Sequence, residues 1–249
     1  MPALLNYSSD LSGLIRDHLG YREASDALMD PRGSLVRFTP WRRTVMQTLP
    51  DGSRLFCKFR NGHRADAAAE WQALHALAEL GFRVPKPIFY AQRGSASVVG
   101  MAEVPGRPMN ALFAEGTGLE SAQQEMPGLL RQLHAAGWVF RDMYWNHVFL
   151  EPGEASEADS GHGSGQAQTD QLWLIDVERA FRPRFRRRRW IVKDLAGLLS
   201  SAPLGYPSTG ALRFLRAYLE GLEGDWKTLA RDVVAKAESI RRHVTRYPG

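Results

Sequence analysis

An α+β fold in two parts is what this sequence predicts: a small antiparallel sheet with one helix, then a mainly helical region. Three observations predict it. Residues 34–59 alternate in character and are split by an Asp51-Gly52 turn, the pattern of strands joined by a tight hairpin. A single run at helical spacing, residues 66–80, follows. After Pro105-Gly106 the apolar residues recur at helical spacing. The two lobes are expected at residues 1–103 and 104–249, each of ordinary size for a lobe or small domain.

Taken in order, residues 10–30 read as a polar helical extension before the main body. Leu35 and Arg37 fall on one face of the first strand and Val36 and Phe38 on the other; residues 44–49 repeat the pattern, and residues 54–59 give a third strand. Ala67, Trp71, Leu74 and Ala78 lie one helical face apart, and Gly81 stops that helix. Val84-Pro85-Lys86-Pro87 turns the chain into a further strand, and residues 97–101 form one more. In the second part Leu129, Leu130 and Leu133 mark a helix ending at Gly137, and short strands are expected at residues 148–150 and 172–175. Residues 154–165, rich in Gly, Ser and acid, hold too few apolar groups to fold alone; they are expected to be a disordered hairpin tip with His162 solvated. From about Ile191 onward, Leu195, Leu198 and Leu199, then Phe214, Leu215 and Leu219, give helices with apolar faces.

The chain has 249 residues, 44% of them hydrophobic, a net charge of +5 and a single cysteine, Cys57. One thiol excludes an internal disulfide framework and suits a reducing cytoplasm; Cys57 itself reads as a small packed strand residue. No apolar run approaches the roughly 20 residues that span a bilayer, and the first residues lack the pattern of a secretory signal. The expected location is cytoplasmic. The positive charge is uneven. Arg182, Arg184, Arg186, Arg187, Arg188 and Arg189 crowd one stretch. Such a block is either a solvated face or a seat for phosphates. No nucleic-acid recognition motif accompanies it, and no nucleic-acid partner is expected.

The chemistry is concentrated in Phe140-Arg141-Asp142-Met143-Tyr144-Trp145-Asn146-His147 and in Asp176, which follows an apolar run. Phosphoryl transfer from a nucleotide needs a carboxylate beside the acceptor hydroxyl and then ligands that hold magnesium against the phosphates. Asp142 is the candidate that orients the hydroxyl and accepts its proton. Asp176 is the candidate magnesium ligand, a hard oxygen donor at a strand end. His147 stands where protein kinases place asparagine and is a candidate both for hydrogen bonding to phosphate or Asp142 and for the metal. Lys58, a strand lysine between Phe56 and Phe59, is the candidate partner of the α- and β-phosphates, with Glu70 from the following helix to hold it. The plainer alternatives are an edge-strand lysine, a surface glutamate and a turn-capping aspartate.

Two usual kinase parts are absent. No Gly-x-Gly-x-x-Gly lies between the first two strands, where only Gly33 precedes them; Trp41-Arg42-Arg43-Thr44 could contact phosphates through guanidinium groups instead. Asp176 is followed by Val177-Glu178-Arg179 rather than Phe-Gly, and Phe140 replaces the histidine before Arg141.

The spaced set Leu133-His134-Ala135-Ala136-Gly137, Arg141-Asp142-x-Tyr144-x-x-His147-x-Phe149-Leu150, Ile175-Asp176-x-x-Arg179-Ala180 and Arg189-Trp190-x-x-Lys193-Asp194-Leu195 resembles the lipopolysaccharide kinase family. That family includes enzymes acting on the first inner-core heptose and, more distantly, on Kdo; Tyr144 and His147 resemble the heptose branch. The similarity runs from about Arg42 to Tyr218. It implies a protein-kinase-like fold, ATP with magnesium as cofactors, and a sugar hydroxyl of a lipid-linked core oligosaccharide as acceptor. It assigns the catalytic roles to Lys58, Glu70, Asp142 and Asp176. Asp194, with Arg141, is given the task of bracing the catalytic loop. Residues 101–104, with Glu103 and Val104, would be the hinge whose backbone reads adenine, and Arg43 a further cofactor contact. Arg184, Arg186, Arg187, Arg188 and Arg189 would hold an anionic glycolipid or the membrane surface. Two other readings stay open: a phosphotransferase of the aminoglycoside or choline type, and a non-catalytic kinase-like module binding nucleotide, anionic lipid or RNA.

Overall fold

A four-residue strand that the sequence did not announce, β1 (Leu4–Tyr7), opens the chain. A computed structural model describes residues 3–62, 66–153, 170–203, 206–221 and 225–246, with residues 244–246 by backbone alone. The Gly/Ser/acid-rich segment 154–165, with His162, lies outside them. Residues 10–30 are not the single polar helix their composition suggested. They form a 3₁₀ turn (Ser9–Leu11), a π-turn (Gly13–His18) and a short α1 (Ala24–Met29). Gly20, at φ 74°, interrupts them, and the N–H groups of Leu19 and Tyr21 turn back to the Leu14 and Ile15 carbonyls. This segment is core rather than appendage: Ile15, Leu19, Tyr21, Ala24 and Ala27 are buried.

The sheet they cover is built from β2 (Ser34–Thr39), β3 (Arg42–Thr48), β4 (Arg54–Asn61), β5 (Pro87–Arg93) and β6 (Ala96–Ala102). With β1 at one edge and β2 at the other, the order is β1-β5-β6-β4-β3-β2, every neighbouring pair antiparallel. Side chains alternate between the two faces of such strands. Val45, Leu55, Cys57 and Phe59 therefore meet the N-terminal segment and are buried there, while Thr44, Phe56 and Lys58 project from the opposite face. The packed-strand reading of Cys57 agrees with its complete burial.

Helix α2 (Ala68–Glu79) follows β4. It stops as its sequence predicts: Gly81 takes φ 83°, and the N–H groups of Gly81 and Phe82 close on the Ala78 and Leu77 carbonyls.

Contacts divide the chain into two compact units, Met1–Val104 joined by Asp176–Glu178, and Pro105–Ile175 joined by Arg179–Gly249. The second contains a three-stranded sheet of β7 (Arg107–Pro108), β8 (Val148–Glu151) and β9 (Gln171–Leu174). Around it run α3 (Met109–Ala114), α4 (Leu119–Ala135), α5 (Arg187–Ser200), α6 (Ser208–Leu219) and α7 (Trp226–Arg246). Met126, Leu130 and Leu133 of α4, Leu195 and Leu198 of α5, and Phe214 and Leu215 of α6 are buried. Among the described residues no helix is long and apolar enough to cross a membrane.

Gly100 of β6 sits opposite Phe89 of β5, and a Cβ there would lie 2.2 Å from the Phe89 ring. Phe89 is fully buried and meets Tyr21 edge to face at 5.2 Å. Gly100→Ala is expected to lower stability by about 1–3 kcal/mol through overpacking, read as a lower denaturant midpoint; an unchanged midpoint would show that the ring has room to move.

Candidate active site

In the first unit a lysine has been taken into a partly buried, highly charged environment. The β3–β4 register sets Thr44 opposite Lys58 and continues to Val99 of β6, which aims the Lys58 side chain away from the N-terminal core. There Nζ meets Glu70 Oε1 of α2 at 2.5 Å and Asp176 Oδ1 at 2.9 Å. Glu70 is one turn before Leu74 and only 1% of its side chain is exposed. Burial works against the Lys58 charge, but Glu70 and Asp176 outweigh it, and the ammonium is held above its ordinary pKa. For Glu70 burial is the larger influence and pushes the carboxyl upward, with Lys58 pulling the other way.

A second set of charges, not read from the sequence, fixes Asp176 and its successors beside the same strands. Arg60 Nη2 of β4 lies 2.5 Å from Glu178 Oε2 and 3.8 Å from Glu70 Oε2. Arg42 of β3 reaches Glu178 at 3.2 Å. The sequence signal was period-two: Arg60 follows Lys58 on one face of β4, and Arg42 pairs with Arg60 across the ladder. Asp176 itself takes a left-handed backbone, φ 59°, a conformation aspartate tolerates better than most residues. Carboxylate oxygens of Glu70, Asp176 and Glu178 lie within 4.8 Å of one another. All are hard donors of the kind magnesium takes, and Glu70 Oε2 has no hydrogen-bond partner. Asp176 is 36% exposed against 13% for Glu178 and 1% for Glu70, so it is the member an arriving cation reaches first. The residues present fit a divalent metal.

In the second unit Asp142 stands in a loop held by a buried carboxylate. Asp194 of α5 is fully buried. Its Oδ2 accepts from the Phe140 N–H at 2.7 Å and its Oδ1 from the Arg141 N–H at 2.6 Å. His134 Nε2 approaches Oδ2 at 3.2 Å while its Nδ1 meets the Tyr218 hydroxyl at 2.9 Å. Arg141 has φ 71°, and its guanidinium stands 5.6 Å from the Trp190 ring centre. Gly197, one turn after Asp194, lets α5 approach this loop: a Cβ would lie 2.3 Å from the Met143 carbonyl oxygen. His147 Nδ1 sits 2.8 Å from the Asp142 carbonyl oxygen, where the ring N–H donates and fixes the loop.

The Asp142 carboxylate is gripped by Arg179, whose Nη1 lies 3.1 Å and 2.7 Å from its two oxygens, and Lys193 Nζ is 3.8 Å away. Burial pulls the Lys193 pKa below its ordinary value, Asp142 opposes this, and the Arg179 and Arg141 charges assist it. Both residues stood in the motif that carried the family resemblance, but no spacing rule said they would reach Asp142.

Three sequence assignments change. Arg43 pairs with Phe59, not Lys58, so it emerges on the sheet face opposite the lysine and stacks 4.0 Å over the Phe59 ring centre. It cannot share phosphates with Lys58; by register, Arg37 and Arg42 are the hairpin arginines on the lysine's face. Glu103 uses its N–H on the Arg54 carbonyl at 3.0 Å and its carboxylate on the Arg54 side chain at 2.9 Å. Val104, which follows it, is buried. The arginine strip is not uniform. Arg187 donates to the His134 carbonyl, Arg188 pairs with Asp232 at 2.6 Å, and Arg189 lies over Trp190 at 5.4 Å. Arg184 and Arg186 are exposed on either side of Phe185, itself 82% exposed.

Asp194→Ala strips two loop N–H groups of their acceptor, at about 1–3 kcal/mol for each buried donor. The expected result is a lower denaturant midpoint together with loss of protection of the Phe140 and Arg141 amides in hydrogen exchange. Unchanged protection would remove Asp194 from the loop's support.

The model of the Lipopolysaccharide kinase (Kdo/WaaP) family matches residues 113–218. None of the curated proteins matches the chain by sequence. A solved structure of WaaP in complex with acyl carrier protein is similar with a TM-score of 0.70 and 25% identity, covering 97% of this chain and 99% of that one. An aminoglycoside-3'-phosphotransferase of type VIII gives 0.58 at 19% identity over 84% of this chain and 97% of its own. The Rio2 kinase–ADP/Mg2+–phosphoaspartate complex from Chaetomium thermophilum gives 0.51 at 16% identity, over 85% and 71% respectively. The last two show the fold. The resemblance to the lipopolysaccharide kinase (Kdo/WaaP) family is thus carried by a matched family model and by a protein-kinase-like α+β fold.

Proposed function

We propose that this chain is a kinase that transfers a phosphoryl group from ATP to a sugar hydroxyl, the inner-core heptose, of a lipid-linked lipopolysaccharide precursor. The observation that carries this reading is Lys58 held at once by Glu70 and Asp176. A partly buried ammonium fixed by two carboxylates is a charge prepared for phosphate oxygens. Asp176 would hold magnesium, which when bound neutralises charge on the phosphates. Lys58 would bind the α- and β-phosphates, Glu70 would keep it aimed, and the Glu103 carbonyl with Val104 would receive the base.

In the second unit Asp142 would orient the acceptor hydroxyl and take its proton late in transfer, since a carboxylate is a weak base at the outset. Arg179, which holds Asp142 at 2.7 Å, would yield to the hydroxyl and turn to the incoming phosphate. Lys193, close to the same carboxylate, would follow the negative charge as it moves. His147 would keep the loop in place through the Asp142 carbonyl. Arg184, Phe185 and Arg186 would meet the anionic acceptor at the inner-membrane surface; exposed guanidinium groups around an aromatic ring suit a charged interface. Cationic acceptors of the aminoglycoside kind are disfavoured by that same strip.

Transfer of labelled phosphate from ATP to core oligosaccharide tests the assignment. Asp142→Ala is expected to lower kcat by about 10²–10⁴-fold, and Asp176→Ala, like removal of magnesium by chelation, to abolish transfer. Asp142→Ala should keep the wild-type unfolding free energy within about 1 kcal/mol, whereas Asp176→Ala, which leaves Lys58 to Glu70 alone, should lower the denaturant midpoint while the far-UV circular dichroism of the folded chain stays that of wild type. Transfer retained by either variant would reject the roles of these two carboxylates. Arg184→Glu with Arg186→Glu should raise KM for the acceptor and leave KM for ATP unchanged; equal changes in both would contradict the strip's part.

A further inference from the structure

A cavity of the first unit lies away from Lys58. It has a volume of about 410 Å³ and opens at the far face of the sheet, between α1 and the end of the β2–β3 hairpin. Met29, Phe38, Trp41 and Phe59 supply its apolar wall, and Arg43 and Arg93 stand among them. Among the described residues lining it, none carries a carboxylate. Register places Phe38 opposite Arg43 and Leu35 opposite Val45, which puts both apolar side chains on the cavity's side of β2. Bare apolar surface is concentrated here among the described residues. Met29, Leu35, Val36, Phe38 and Trp41 are each more than half exposed and lie close together in sequence. β2 is an edge strand whose one charged side chain, Arg37, lies by register on the lysine's face, and large apolar groups left bare on an edge are ordinarily covered by something.

We infer that this cavity binds the head and glycerol region of an anionic phospholipid, its acyl chains running along the exposed β2 edge. A concave site with guanidinium groups, no opposing carboxylate and an aromatic wall selects a ligand that is anionic at one end and apolar at the other. The volume suits a phosphate with its glycerol and first methylenes and is too small for a whole lipid, so the chains must lie outside, where the apolar side chains are. Trp and Phe beside Arg are the side chains that settle at a membrane–water boundary. Lys58 faces the other way, and no lysine stands among the described residues that line the cavity. Arg42 and Arg60 also line the cavity but are held by Glu178 of the Lys58 network; the residues on which the proposal rests, Met29, Phe38, Trp41, Arg43 and Arg93, belong neither to that network nor to the Asp142 loop.

The test uses the full chain and sedimentation with vesicles of phosphatidylcholine alone or mixed with phosphatidylglycerol. Binding is expected to be at least about tenfold tighter to the mixed vesicles. Phe38→Ser with Met29→Ser, and separately Arg93→Glu, should each reduce it by about the same factor while ATP-dependent labelling of a water-soluble core oligosaccharide stays at the wild-type level. Bromine-labelled phosphatidylglycerol should quench tryptophan emission, and Trp41→Phe should remove that component. The Arg184→Glu, Arg186→Glu pair serves as background, so that any contribution of the second unit is already absent. The proposal is overturned if the cavity variants bind mixed vesicles as tightly as wild type in that background, if the two vesicle types bind equally, or if neither binds. Self-association that strengthens with concentration and is lost in Phe38→Ser would instead make the β2 edge a contact between copies, and would overturn it too. Loss of labelling in wild type itself would bear on the kinase reading and leave the lipid result standing.

Discussion

A partly buried lysine held between a buried carboxylate and a half-exposed one is the constraint from which the rest of this structure follows. Removing an ammonium from water is unfavourable unless oppositely charged groups compensate it. At Lys58 the compensation comes from α2 and from a segment more than a hundred residues later in the chain. That explains why Asp176–Glu178 belongs with the first unit although the residues on both sides belong to the second. Lys58 holds Asp176, while Arg60 and Arg42 hold Glu178. Three cations and three carboxylates thus assemble at one face of β3 and β4, while Val45, Leu55 and Cys57 of the opposite face pack in the apolar core.

The second unit meets a similar difficulty with a different device. A loop that must present Asp142 has left-handed backbone at Arg141 and N–H groups directed inward. Asp194 satisfies those groups from α5, and a glycine at 197 allows that helix to come close. Strained backbone at Arg141 and Asp176, each beside or at a proposed catalytic carboxylate, is where function commonly concentrates strain. The scaffold beneath both positions is buried; the reactive side chains stand at its edge.

Much of this was legible in sequence because the signals were local. Alternation gave β2 to β4, Asp51-Gly52 gave the turn between β3 and β4, and Gly81 ended α2 where its left-handed backbone requires glycine. The pair Lys58 and Glu70 could be proposed because strand and helix succeed each other directly. What escaped depended on distant pairing. β1 is four residues long and pairs with β5, a partnership no periodicity announces. Residue type marks Arg43 as a phosphate ligand, but period-two alternation along β3 sets it on the face away from Lys58; on β2 the irregular register between Leu35 and Arg37 breaks the simple alternation. Arg60, Glu178, Arg179 and Lys193 were visible as charges, yet their partners come from other elements and only the fold brings them together.

Everything proposed for catalysis requires Lys58 and Asp176 to act together on a magnesium-bound nucleotide. Calorimetric titration of the full chain with ATP, with and without magnesium, measures this directly in wild type and in Lys58→Met. Wild type should bind ATP at least about tenfold more tightly with magnesium present, and Lys58→Met should lose a comparable factor, as expected when a charge-assisted contact worth about 1.5–3 kcal/mol is removed. ATP affinity that is indifferent to both the metal and the lysine would contradict it.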